Sequence, residues 1–153
     1  MKKTTFQNLL KIGQLKAHTA TAVDVQKMLA AATRNLKDAG LAGNSSETRF
    51  DCAYKAIMQC ALIAMWANGY RPSTNLPGHH QILIQTLTLS LGLPTDRVFV
   101  LDALRKKRNL NDYNGDPIED AAVKQCLREG KSLLDEVDGW LKKQHPQLMS
   151  GRT

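Results

Sequence analysis

Ser46-Glu47-Thr48-Arg49-Phe50-Asp51-Cys52-Ala53-Tyr54-Lys55-Ala56-Ile57-Met58-Gln59-Cys60-Ala61-Leu62-Ile63-Ala64-Met65-Trp66-Ala67 is the stretch on which the fold turns. Phe50, Ala53, Tyr54, Ile57, Ala61, Ala64 and Met65 recur at helical spacing, and Ile63 and Trp66 carry the apolar surface around to a second side. Asn44-Ser45-Ser46-Glu47 supplies turn and capping chemistry in front of it, and Asn68-Gly69 closes it. A helix that is apolar on more than one side has to lie between other helices. The fold it predicts is therefore an all-α, antiparallel up-and-down bundle.

The flanking sequence supplies the partners. Thr21 reads as the N-cap of a helix to about Asp38, with Val23, Met28, Ala31, Ala32 and Leu36 as its stripe and Gly40 as its stop. Phe6, Leu9 and Leu10 make at most one amphipathic turn before Gly13. Tyr70 to Gly78, with Pro72 and Pro77, reads as a semi-rigid loop. Ile82 to Leu91 is ambiguous, because Leu87-Thr88-Leu89-Ser90-Leu91 alternates as a strand does. Leu83, Leu87 and Leu91 also fit a helical stripe, and a lone strand would leave its backbone groups unpaired, so a helix ending at Gly92 is expected.

Thr95-Asp96 is expected to cap a helix with core residues Val98, Leu101 and Leu104, and Asn114-Gly115-Asp116-Pro117 to end it. The last helix, Ile118 to Lys143, carries Ala122, Val123, Cys126, Leu133, Leu134, Val137 and Leu141. About five helices result and no strand is needed. Residues 1–20 read as a short extension, 21–145 as a single bundle domain and 146–153 as a flexible tail.

At 153 residues, 42% apolar and 23% charged, the chain fits one domain with its own core. Its longest apolar runs fall well short of the ~18 to 20 residues of a membrane span. Residues Phe6 to Leu15 are too interrupted for a signal peptide, and a cytoplasmic location is the expectation. Cys52, Cys60 and Cys126 form no C-x-x-C pair and His18, His79, His80 and His145 no ligand spacing, so neither a disulfide framework nor a metal or other cofactor is expected. No Gly-rich phosphate loop is present.

The formal charge of +7 favours anionic partners, nucleic acid first among them. It is densest in Leu104-Arg105-Lys106-Lys107-Arg108-Asn109-Leu110-Asn111-Asp112-Tyr113. On a helix, Arg105, Arg108, Asn109 and Asp112 form a row with Tyr113 over Asn109. Two readings compete. The row is a solvated ladder in which Arg108 pairs with Asp112 near a helix C-terminus, or Arg105, Arg108 and Asn109 hold phosphate, for which the planar Arg fork is suited. With eight aromatic residues and no aromatic-basic interleaving, a base-stacking platform is not visible.

Arg49-Phe50-Asp51 with Ala53-Tyr54-Lys55-Ala56, Asn68-Gly69-Tyr70-Arg71, Gly78-His79-His80, and Leu104 to Asn109 with Tyr113 follow one another in an order that resembles the HEPN superfamily of small helical bundles, from about Val23 to Leu141. The resemblance implies a symmetric homodimer with a shared Arg-bearing cleft and a place in a toxin-antitoxin or phage-defence system. It also implies RNA or nucleotide binding, metal-independent endoribonuclease activity, or partnership with a small nucleotidyltransferase or an antitoxin.

Ribonuclease members carry an Arg followed after four to six residues by a His. Here the positions after Arg108 hold Tyr113, Asn114 and Gly115, and those after Arg105 hold Leu110, Asn111 and Asp112. Tyr113 is a poor base at an ordinary phenol pKa near 10, and Arg108 would hold Asp112 acidic. The expectation is therefore a phosphate-binding module using Arg105, Arg108 and Asn109, its groove lined by Tyr113, Arg49 and Tyr54. The alternatives are a degenerate ribonuclease drawing on Arg108, Asp112, Tyr113, His79 or His80, and a non-catalytic interaction partner.

Overall fold

The computed structural model describes residues 5–75 and 78–149. Along the chain they form α1 (Phe6–Lys11), β1 (Leu15–Ala17), α2 (Ala22–Ala39), α3 (Ser46–Ala67), β2 (Tyr70–Pro72), α4 (His79–Gln85), α5 (Leu87–Ser90), α6 (Thr95–Asn114), α7 (Asp120–Gln144) and a 3-10 turn, Pro146–Leu148. The fold is an all-α helical bundle, as the sequence predicts.

Its axis is α3, whose burial of Phe50, Tyr54, Ile57, Ile63 and Met65 on several sides requires cover from α2 and α7, its two main neighbours. Small residues make those approaches close. A Cβ on Gly130 of α7 would lie 2.7 Å from Leu36 Cδ2 of α2 and 3.5 Å from Ala53 O of α3, so α7 crosses both helices at that glycine. Ser45 and Thr21 cap α3 and α2, each side-chain oxygen accepting a backbone N–H three residues on.

Several elements differ from their sequence-based expectation. The buried row of α2 is Val25, Leu29, Ala32, Leu36 and Ala39, and Val23 stays 62% exposed. The expected and observed rows share Ala32 and Leu36, and the crossing with α7 at Leu36 goes with the row that adds Val25, Leu29 and Ala39. The segment from Ile82 to Leu91 is helical but broken at Thr86, whose hydroxyl donates to Ile82 O and Leu83 O and so competes with the helical ladder. Helix α6 begins after Pro94, and α7 begins at Asp120 with Ile118 packed into the core before it.

A small sheet was not anticipated. β1 and β2 pair antiparallel with Leu15 opposite Pro72 and Ala17 opposite Tyr70, which turns the start of the expected loop into a strand. Pro72 has no N–H to offer, and Ser73 N–H donates to Gln14 O in its place. Leu15 is 1% exposed and Phe6 stacks on Tyr70 at 5.0 Å, so the N-terminal segment is packed onto the bundle. At the other end Leu148 is buried beside α2 and α7, while 150–153 of the expected tail, like Leu76-Pro77 of the loop, lie outside the described residues.

Candidate functional site

The face of α3 turned away from α7 carries Asp51, Tyr54, Lys55, Met58, Gln59, Leu62 and Trp66 at helical intervals. This row forms one wall of a cavity of about 630 Å³, within the range of small-ligand sites. The opposite side is built by Arg71, Pro72 and Thr74, by His79, His80 and Leu83 of α4, and by Arg108 of α6. Three fixed cations, Lys55, Arg71 and Arg108, and two imidazoles thus share the lining with one carboxylate, Asp51.

Arg108 is held at one end of the cavity by three groups. Its guanidinium carbon lies 5.1 Å from the centroid of the Tyr54 ring. Its Nε is 3.5 Å from Asp51 Oδ1, and its Nη1 is 4.0 Å from Asp112 Oδ2. At 3.5 Å the Asp51 contact is an ion pair and not a hydrogen bond, and the buried Nε–H is left without an acceptor among the described residues. The side chain as a whole is 32% exposed, which leaves other guanidinium N–H groups able to meet an incoming oxygen.

Tyr54 Oη and His80 Nδ1 are 3.3 Å apart, and His79 and His80 meet edge to face at 4.8 Å between centroids. Burial pushes the Tyr54 hydroxyl up to about 12 against the pull of Arg108 and Arg105, so it stays protonated near neutrality. Burial also lowers His80, and His79, Arg108 and Arg105 add repulsion. Asp51 is raised by burial, which Arg108 only partly opposes. The result is a neutral, partly desolvated Tyr54–His80 pair beside a fixed guanidinium.

The structure brings Tyr54, His79, His80 and Arg108 of the sequence-predicted residues to one cavity, and sets the others apart. Arg105 is directed at Asp102, Nε to Oδ1 2.8 Å. Burial raises Asp102, but Arg105 and Lys106 outweigh it and hold the carboxyl below its ordinary value. Arg49 donates from Nε to Ala39 O at 2.8 Å, closing the C-terminus of α2, and does not line the cavity. Asn109 is half-buried outside the lining, and Tyr113 is 85% exposed on the outer surface of α6.

Lys55, Arg71 and the apolar stretch of Met58 and Leu62 were not singled out as site residues. The signal for the α3 residues is a second helical row offset from the core row, Asp51, Lys55, Met58 and Leu62, whereas Arg71 in β2 has no such periodic signal. Among the described residues no helix is long and apolar enough to cross a membrane. No family model, curated protein or solved structure matches the chain.

Proposed function

We propose that this protein binds a phosphate-bearing ligand, RNA or a nucleotide, in the cavity between α3, α4 and α6. The observation that carries the reading is the lining itself: three fixed cations and two imidazoles against one carboxylate. A phosphate oxygen would meet the exposed part of the Arg108 guanidinium and leave Tyr54 to support it from beneath. Arg105, neutralised by Asp102, contributes field and not contact. On the HEPN-like reading the module works as a homodimer in a toxin-antitoxin or defence setting.

Fluorescence anisotropy with labelled RNA and competing nucleotides tests this. Arg108→Ala should weaken binding by about tenfold or more and reduce the slope of log affinity against log salt by about 1, as expected for one lost phosphate contact. Affinity and slope unchanged from the parent protein would overturn it.

A second reading, metal-independent RNA cleavage, draws support from the Tyr54–His80 contact. With Nδ1–H donating to Tyr54 Oη, His80 Nε2 is a free base beside the Arg108 charge, the combination needed to deprotonate a 2′-hydroxyl and stabilise a phosphorane. Cleavage in EDTA that disappears in His80→Ala supports it. An RNA left intact by the parent protein removes that support.

A further inference from the structure

The cavity is a groove and not a round pocket. Its α3 wall runs from Asp51 to Trp66, and at about 1.5 Å of rise per residue these positions lie roughly 22 Å apart along the helix axis. Arg108 is fixed at the Asp51–Tyr54 end by the contacts given above. Arg71 belongs to the other end. It sits in β2, which leaves α3 directly after the turn in which Gly69 N–H donates to Trp66 O, and its backbone is held opposite Lys16. Between the two arginines the wall carries Met58 and Leu62 beside Lys55 and Gln59, and is continued by Met28 of α2 and Trp66.

The two arginines differ in engagement. Arg108 has two carboxylates within 4.0 Å. Arg71 has no side-chain ion pair among the described residues and lines the groove. A half-buried arginine with no carboxylate beside it invites an anion from outside the chain.

We infer that Arg71 is a second anion subsite, and that the groove takes an extended ligand reaching from Arg108 to Arg71, which fits a short single strand better than one nucleotide. The inference rests on the phosphate-binding reading proposed above. Phosphates advance about 3.4 Å per residue in a stacked strand and farther in an extended one, so up to about six nucleotides cover the distance and a single one does not. Trp66, with His18 against it at 5.5 Å, offers its free surface to a base at the Arg71 end.

Competition binding with unlabelled oligouridylates from one to eight residues tests this. Affinity should rise by about tenfold or more from one residue to the length that reaches Arg71, then level off. Arg71→Ala should remove the rise, Arg71→Lys should keep most of it, and Arg108→Ala should weaken every length. A mononucleotide that binds as tightly as the longer strands, or a length dependence intact in Arg71→Ala, overturns the second subsite while leaving the Arg108 site standing. Failure of every strand and nucleotide to bind overturns both.

Discussion

Arg108 lies over the ring of Tyr54, 5.1 Å from guanidinium carbon to centroid, while the hydroxyl of that same tyrosine reaches His80. One side chain from the core helix therefore positions two groups contributed by other helices. The ring and the hydroxyl have separable roles. Tyr54→Phe should keep the ring under Arg108 and cost about 1 kcal/mol, the worth of one hydrogen bond. Tyr54→Ala should cost about 3 to 5 kcal/mol through the cavity it opens in the core. Urea denaturation of the two variants checks this, and equal losses would refute the division.

Stability should depend on pH through His80. The imidazole is held below its ordinary 6.5 by burial first, then by His79, Arg108 and Arg105, with Tyr54 facing it from α3. Between the lowered value and 6.5 the unfolded chain binds more protons, so the contribution is complete above about 6.5 and is lost as pH falls through the folded value. Asp51 has the opposite sign: its stabilising effect is full below 3.8 and fades as pH rises through its raised value. The urea midpoint should fall from about pH 7 to about pH 5.5, and His80→Gln should flatten that decline. A decline undiminished in the variant would place the titration on another group.

Gly130 separates a tolerated change from a damaging one. In Gly130→Ala the new methyl meets the end of the Leu36 side chain, which can shift, and alanine recovers about 1 kcal/mol of helix propensity, so the net change should stay within about 1 kcal/mol. Gly130→Leu has Ala53 O and Ile57 behind it and should destabilise by about 3 kcal/mol. Thermal unfolding decides, and a leucine variant as stable as the parent would mean that α7 does not cross α2 and α3 here.

The second half of α6 should open before the rest of the bundle. Its buried residues are Leu101 and Leu104, and beyond them Leu110 is 50% and Tyr113 85% exposed. The ion pair of Lys107 with Glu119 is solvent-exposed and adds little. Amide exchange from Asn109 to Asn114 should be faster than from Val98 to Leu104 by about tenfold or more. Uniform protection along α6 would contradict this.

The helices were legible because their signals are redundant: Ser45 and Thr21 cap, Gly115 in the left-handed region stops α6, and the apolar rows lie between. The three-residue strands carry no periodic signal at all, and their pairing joins positions more than fifty residues apart. At the site, the motifs of Tyr54, His79-His80 and Arg108 could be read as residue types, but the basic block is divided by its carboxylates. Asp102 engages Arg105 one turn back, whereas Asp51 arrives from α3 to meet Arg108, and a contact between helices is not written in local spacing.

If the groove binds as proposed, the β1–β2 pairing has a thermodynamic consequence for that binding. Arg71 is held where it is by Leu15, Lys16 and Ala17, and by His18 N–H donating to Gly69 O. This clasp lies outside α3, so its undocking would free the Arg71 end of the groove, opposed by the buried Leu15 and the Phe6–Tyr70 stack. The competent fraction of molecules would then be set by the clasp, and apparent affinity would scale with that fraction. Substitutions around Leu15, outside the groove, would change affinity by altering how often the groove is complete.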